Sequence, residues 1–161
     1  MLEYNSPIGT LIIKADGGFI TEIKYKNEEA PPLRPQETDA SGVLALCAKE
    51  LDEYFAGTLR KFTVSIRASG TPFRELCWSQ LQKIPYGETI SYKELAARIE
   101  NPAAIRAVGG ANHHNPINII IPCHRVIGAN GSLTGYGGGI ARKEFLLKLE
   151  KYCKHTEAMT K

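Results

Sequence analysis

The sequence predicts an α/β protein in two parts: a small sheet-plus-helix domain over residues 1–70, then a mainly helical domain carrying a helix-turn-helix over residues 71–161. Three observations predict it. Segments rich in β-branched residues fall before residue 70. Cap-and-proline signals for helices fall after it, and Gly70-Thr71-Pro72 separates the two regimes. A length of 161 residues suits one medium domain or two small ones.

The elements follow in order. GTLIIKAD and GFITEIKYK, within residues 9–26, read as two strands around the turn Asp16-Gly17-Gly18. EEAPPLRPQE is a proline-rich, charged connection with no regular pattern. From about Ala40 to Phe55, residues Leu44, Cys47, Leu51 and Tyr54 recur at helical spacing. FTVSIRA (62–68) reads as one more strand. Thr71 as cap and Pro72 at the first helical position open a helix through Ile84, with Phe73, Leu76, Cys77, Leu81 and Ile84 as its apolar stripe. Ser91 and Glu94 form a capping box for a helix to about Ile99. Asn101-Pro102 marks the start of AAIRAVGGANHH, and the two short helices read as a helix-turn-helix. Asn130-Gly131 is a hairpin signal, ARKEFLLKLEKY a final helix, and CKHTEAMTK a polar tail expected to fray.

Composition excludes several classes. Apolar content of 43% and charged content of 23% fit an ordinary globule. The N-terminus lacks the basic-then-apolar profile of a signal peptide, and no apolar run approaches a membrane span. The four cysteines lie too far apart for a disulfide framework or a zinc site, so a reducing, intracellular location is expected, with no metal and no cofactor. The net charge of +3 is uneven: residues 1–71 carry 8 Lys/Arg against 10 Asp/Glu, and residues 72–161 carry 12 against 7. A polyanionic partner would favour the second half.

IPCHRV (121–126) concentrates the chemistry, placing a thiol, an imidazole and a guanidinium in succession behind the apolar run NIII. A cysteine becomes nucleophilic as its thiolate, which needs nearby positive charge, a helix N-terminus or a base. Two readings of Cys123 stand at this point, a nucleophile in a sharp turn and a buried structural cysteine beside surface charges. Cys47 and Cys77 lie on apolar stripes and read as core. His113 and His114 are adjacent, so they cannot share a helix face, and read as loop or C-cap residues. His124 needs an acceptor to orient its ring, and Glu144 is the candidate. Arg106 sits among Ala103, Ala104, Ala107, Gly109 and Gly110, a slim helix face suited either to tight helix packing or to a nucleic-acid groove.

These motifs together resemble the O6-alkylguanine-DNA alkyltransferases (methylated-DNA–protein-cysteine methyltransferases). The resemblance runs through GTPFRELCWSQLQKIPYGETISYKELA, AIRAVGGANHHNP, IPCHRV with Asn115 eight residues before the cysteine, and GYGGGIARKEFLL, covering residues 70–150. It implies a ribonuclease-H-like first domain and a winged-helix-like, helix-turn-helix DNA-binding second domain. By this resemblance Cys123 accepts the alkyl group from guanine O6 and keeps it, so each molecule reacts once. His124 deprotonates it through a water, and Glu144 holds the imidazole. Tyr92 donates a hydrogen bond to the purine, and Asn115 braces the turn. The carbonyls of Cys123 and Val126 accept from the guanine amino group, and Tyr136, Gly137 and Gly138 belong to a loop closing over the base. Arg106 fills the gap left by a flipped base, with Ala103, Ala107, Gly109 and Gly110 in the minor groove.

The implied partner is double-stranded DNA, bound through that groove by a monomeric, cytoplasmic protein, with cooperativity left open; no membrane is involved. Gly137 departs from the serine that many relatives carry, and the early cysteines that hold zinc in some relatives are missing before Cys47. A non-catalytic protein that flags alkylated DNA is the alternative, against which the presence of Cys123 argues. A Cys–His hydrolase is a third reading, but nothing near Cys123 calls for an oxyanion hole.

Overall fold

The computed structural model describes residues 1–29, 39 and 41–160. It divides into two compact units, Met1–Ser69 and Gly70–Lys161. The proline-rich connection lies outside the described residues from position 30 to 38.

In the first unit, β1 (Leu2–Ser6), β2 (Gly9–Asp16) and β3 (Phe19–Tyr25) form an antiparallel sheet in that order. The register pairs Tyr4 with Leu11 and Ile13 with Ile23, so one face carries the fully buried Leu11, Ile13, Ile20 and Ile23. The helix α1 (Val43–Phe55) covers that side with Val43, Leu44, Cys47, Leu51 and Tyr54. The sequence reading did not include β1. It also took 62–68 as a strand, whereas only a single parallel bridge forms there, Ile20 to Ile66, with Ile20 N–H donating to Ser65 O at 2.8 Å. The cause is Glu50: its buried carboxylate accepts from the backbone N–H groups of Thr63 (2.9 Å) and Val64 (3.1 Å), taking the donors a strand would have used.

The second unit is built on α2 (Pro72–Leu81), α3 (Tyr92–Arg98), α4 (Ile105–His113) and α5 (Ile140–Thr160). The Thr71 hydroxyl accepts from Arg74 N–H and the Ser91 hydroxyl from Glu94 N–H at 3.0 Å, as their positions predict. The helix α2 stops at Leu81, and a tight turn then brings Ile84 into the core. The helix α4 begins at Ile105, because Asn101 O accepts from Ala104 N–H and closes a separate turn. It packs against both α2 and α3, and the Trp78 indole donates to Ala111 O at 2.9 Å.

Asn130-Gly131 does form a turn, with Gly131 N–H donating to Gly128 O, but no paired strands flank it. Tail residues 153–160 continue α5 rather than fray, since Lys, Glu, Ala and Met all favour helix. Two short strands absent from the sequence reading, β4 (Ile90–Ser91) and β5 (Val126–Ile127), pair in parallel. That pairing matters for chemistry, because it sets the start of α3, at Tyr92, beside the segment that follows Cys123. Among the described residues no helix is long and apolar enough to cross a membrane.

Candidate active site

The apolar run before Cys123 is an anchor. Ile117, Ile119 and Ile121 are all buried, and Ile121 N–H closes a turn on Ile117 O at 3.0 Å. Ile119 holds φ at 74°, a left-handed conformation costly for a β-branched residue, on the order of 1–3 kcal/mol. Pro122 then leads into a 3₁₀ turn, Cys123–Arg125. Asn115 ties the segment together. Its side-chain Nδ2 donates to Ile121 O at 2.8 Å and to Cys123 Sγ at 3.1 Å, while Oδ1 accepts from Ile117 N–H at 3.0 Å. Asn115 therefore braces the turn and also touches the thiol.

His124 is wholly buried, and its Nε2 lies 2.7 Å from Glu150 Oε1. Burial works to raise the pKa of Glu150, but His124 and Arg125 outweigh it and hold the carboxyl well below the usual carboxylate range. A carboxylate only accepts, so Nε2 carries the proton. In the neutral ring this leaves Nδ1 as the basic nitrogen, and Nδ1 is buried with no hydrogen-bond partner.

This is the main correction to the sequence reading, which gave the orienting role to Glu144. Glu144 is half exposed and ion-paired with Lys148 at 2.8 Å. The reason is helical phase: the buried stripe of α5 is Lys143, Leu146 and Glu150, spaced i, i+3, i+7, and Glu144 lies about 100° off it. That spacing was present in the sequence but blurred by the apolar residues on both sides of Leu146. Arg125 also finds its role. Its Nε donates to Glu150 Oε2 at 2.9 Å, and its Nη1 donates to Ile84 O at 2.7 Å. Gly87 N–H adds a further bond to Glu150 at 3.1 Å. Arg125 is a structural partner of the carboxylate.

Lys143 is a site residue that sequence reasoning missed. It is fully buried, with its Nζ donating to Val126 O and to Thr134 O (2.9 Å) and lying 3.5 Å from the Tyr92 hydroxyl. Burial pulls its pKa down to about 8, and the neighbouring Cys123 works in the opposite direction. Burial pushes the Cys123 thiol up to about 11, against the opposing effects of the Asn115 hydrogen bond and the Lys143 charge. The Tyr92 phenol is also raised by burial, and it donates to Thr134 O at 2.7 Å.

Residues 134–139 lie beside the site, where Thr134 O accepts from Tyr92 and Lys143. Gly135 has φ 72°, and a Cβ there would lie 2.9 Å from the Tyr92 hydroxyl, so the position admits no side chain as it stands. Tyr136 and Val126 are buried, and Gly138 O accepts from Arg142 Nη1 at 3.1 Å. A Cβ on Gly137 would meet His113 O at 3.1 Å, so the end of α4, and not open space, lies beside it. Cys123 itself is 3% exposed.

The outer face of α4 is different. Arg106 and Ala107 are exposed, as is Ala103 in the turn before the helix, and a Cβ added at Gly109 or Gly110 would meet nothing within 4 Å. The small residues therefore do not serve helix–helix packing. They leave a slim, open surface bearing Arg106.

Known proteins are similar to this chain in sequence and fold. Residues 72–152 match the DNA-binding domain of 6-O-methylguanine DNA methyltransferase, and residues 3–68 match its ribonuclease-like domain. A methylated-DNA–protein-cysteine methyltransferase of Mycobacterium bovis is 50% identical over 154 residues, spanning 94% of this chain and 93% of the relative. One from Methanosarcina acetivorans is 44% identical, spanning 93% and 97%. The crystal structure of Mycobacterium tuberculosis OGT in complex with DNA superposes with a TM-score of 0.84 at 46% identity, covering 94% of this chain and 92% of that one. The two-part fold, the buried cysteine segment and these likenesses over almost the whole length lead to one conclusion: the chain belongs to the 6-O-methylguanine DNA methyltransferase family.

Proposed function

We propose that this protein repairs DNA by moving an alkyl group from guanine O6 to Cys123 in a single turnover. The observation that carries the reading is the buried set in which Asn115 holds Sγ, Glu150 holds His124, and Lys143 lies in the same electrostatic neighbourhood. A thiol at about pKa 11 is almost wholly protonated at neutral pH, so attack requires a base. His124 Nδ1 takes the proton through a bridging water, and Glu150 stabilises the imidazolium that forms. The C–S bond forms as the bond from the alkyl carbon to O6 breaks, and the electron pair leaves on the purine. Tyr92, once its hydroxyl proton is released from Thr134 O, and the Lys143 charge stabilise that developing anion. A thioether has no leaving group to regenerate the thiol, so the protein is consumed.

Because Cys123 is nearly inaccessible, the loop at 134–139 must swing aside to admit a base, turning at Gly135 and Gly139, which both have positive φ. Tyr136, Gly137 and Gly138 then close over the base, with the Cys123 and Val126 carbonyls taking its amino group. Chemistry at O6 is blocked inside a duplex, so the base is extruded. The open face of α4, with Ala107, Gly109 and Gly110, enters the minor groove together with Ala103 in the turn before it, and Arg106 fills the vacated stack. The protein acts as a monomer in the cytoplasm; its four cysteines are all free, in keeping with a reducing compartment.

The test is intact-protein mass after incubation with duplex O6-methylguanine DNA. A gain of one methyl group on Cys123, abolished in Cys123→Ala with duplex binding retained, is expected. Binding with no mass change in the unmodified protein would favour the lesion-flagging alternative.

A further inference from the structure

The loop that leads into α5 is held at two carbonyls. Thr134 O accepts from the Tyr92 hydroxyl at 2.7 Å and from Lys143 Nζ at 2.9 Å, and Gly138 O accepts from Arg142 Nη1 at 3.1 Å. The backbone between them lies close against one of these donors: a Cβ on Gly135, whose φ is 72°, would stand 2.9 Å from the Tyr92 hydroxyl. Three side chains thus pin residues 134–138 to the starts of α3 and α5.

The identity of the donors is informative. Thr134 is an exposed residue, and water can satisfy an exposed carbonyl, so burial does not demand these bonds. Yet Tyr92 and Lys143 are the groups that stabilise the purine anion in the reaction proposed above. Lys143 Nζ also donates to Val126 O, the carbonyl assigned to the amino group of the base. In the resting protein the recognition groups are therefore occupied by one another and by Thr134 O. The β4–β5 pairing sets Tyr92 beside the chain that leaves Cys123, and Cys123 is 3% exposed. Burial is the largest influence on both the Cys123 thiol and the Tyr92 phenol, raising each. Beneath it, Lys143 acts to lower the thiol and Cys123 to raise the phenol, so the three groups share one field.

Moving the loop away takes one acceptor from a buried ammonium and another from a half-buried hydroxyl, a cost that nothing offsets until a purine enters. A purine offsets it with a ring nitrogen for Tyr92 and its electron-rich edge for Lys143. We propose that Thr134 O is an internal competitor of the base, a latch that keeps small electrophiles from the single-use thiol until a purine replaces it at Tyr92 and Lys143. The need for such a latch is chemical. A thioether has no leaving group, so each chance alkylation from solution removes one molecule from service. Arg142 is the second latch, a positioning residue that acts through Gly138 O. The proposal rests on the alkyl-transfer reading and deepens it.

The test treats the protein, without DNA, with iodoacetamide, a small neutral electrophile from which the cysteine sulfur displaces iodide, and follows each cysteine by peptide mass. Tyr92→Phe is expected to speed labelling of Cys123 about fivefold, roughly what one hydrogen bond contributes to a local opening equilibrium, while slowing transfer from O6-methylguanine DNA. Opposite signs in the two assays separate a latch from a tyrosine that serves the reaction alone, which would leave labelling unchanged. Cys77, buried in the core of the same unit, reports any general loosening and is expected to keep its native rate. Arg142→Gln frees Gly138 O and leaves Tyr92 in place. It is expected to speed Cys123 labelling likewise, and it decides the matter if Tyr92→Phe does not fold. Labelling of Cys123 at the native rate in both variants, or a rise matched at Cys77, overturns the proposal. Failure of the wild-type protein to take a methyl group from DNA would instead sink the alkyl-transfer reading and leave the labelling result standing.

Discussion

The two units bury charge in opposite ways. In Met1–Ser69 the buried charged side chain among the described residues is Glu50, whose carboxylate caps the backbone N–H groups of Thr63 and Val64. Around it the core is aliphatic and aromatic, the economical solution for a small sheet and one helix. In Gly70–Lys161, Asn112, Asn115, His124, Arg125, Lys143 and Glu150 are all buried. Several of them contact one another or the acceptor sulfur. Desolvating ions costs several kcal/mol each, and hydrophobic residues of similar volume would often do as well for stability. The first unit thus uses a buried charge to finish a fold. The second arranges several around one thiol, at an energetic cost that packing alone does not justify.

The sharpest way to break this contrast is to neutralise the central acid of each unit. Glu150→Gln leaves Arg125 buried without its counter-ion and is expected to cost about 3–5 kcal/mol, read from chemical denaturation, together with most of the transfer rate. Glu50→Gln weakens neutral backbone contacts and is expected to cost about 1–3 kcal/mol, with the rate per folded molecule unchanged. If both variants slowed transfer equally, the division of labour between units would be wrong.

The same pair separates in acid. The folded Glu150 carboxyl titrates below its unfolded value of about 4.3, so its contribution is complete above about pH 4.5 and is lost as the pH falls further. Glu150→Gln should flatten the acid limb of the stability profile.

Lys143 gives the next largest effect. Replacing it with Met removes the charge that opposes the rise in the Cys123 pKa, so the thiol should titrate higher still, measurable by thiolate absorbance. Each unit of that shift corresponds to about 1.4 kcal/mol, and transfer at neutral pH is expected to slow by about tenfold or more. In the native protein Lys143 loses its proton near pH 8, so any support from its charge is present below that value and declines above it. A rate that falls above about pH 8 in the native protein, and not in Lys143→Met, would identify the ammonium as part of the site.

How much of this was legible beforehand depended on what kind of signal each residue sends. Caps are local, so Thr71, Pro72, Ser91 and Glu94 announced α2 and α3 without reference to the rest of the chain. Cys123 and His124 were visible because a motif of reactive groups in sequence is also compact in space, whereas Asn115, eight residues before the thiol it touches, entered only through the family resemblance. The short parallel pair β4–β5 was not visible, since two residues per strand carry no periodicity and their pairing spans 36 positions of chain. Nor was the strand-like FTVSIRA readable as irregular, because what displaces its pairing is a side chain 13 residues earlier. Lys143 sent no signal for a related reason. Burial of a lysine is decided by tertiary carbonyls, here Val126 O and Thr134 O, which no local pattern reports.

The smallest effect expected is the most diagnostic for the correction on α5. Glu144 and Glu150 are both glutamates of one helix, six residues apart, and a resemblance read without helical phase can assign either to His124. The Glu144 side chain is half exposed and meets only Lys148, also exposed, at i+4. Surface pairs of this type contribute a few tenths of a kcal/mol, and salt screens them. Glu144→Gln should therefore leave the melting temperature, the transfer rate and its pH profile unchanged within error. If it lowered the rate as Glu150→Gln does, α5 would have to turn by most of a third of a revolution in the reactive state, bringing Lys143 and Leu146 out of the core with it. That price is too high for a helix whose buried stripe supplies both the acid and the cation of the site.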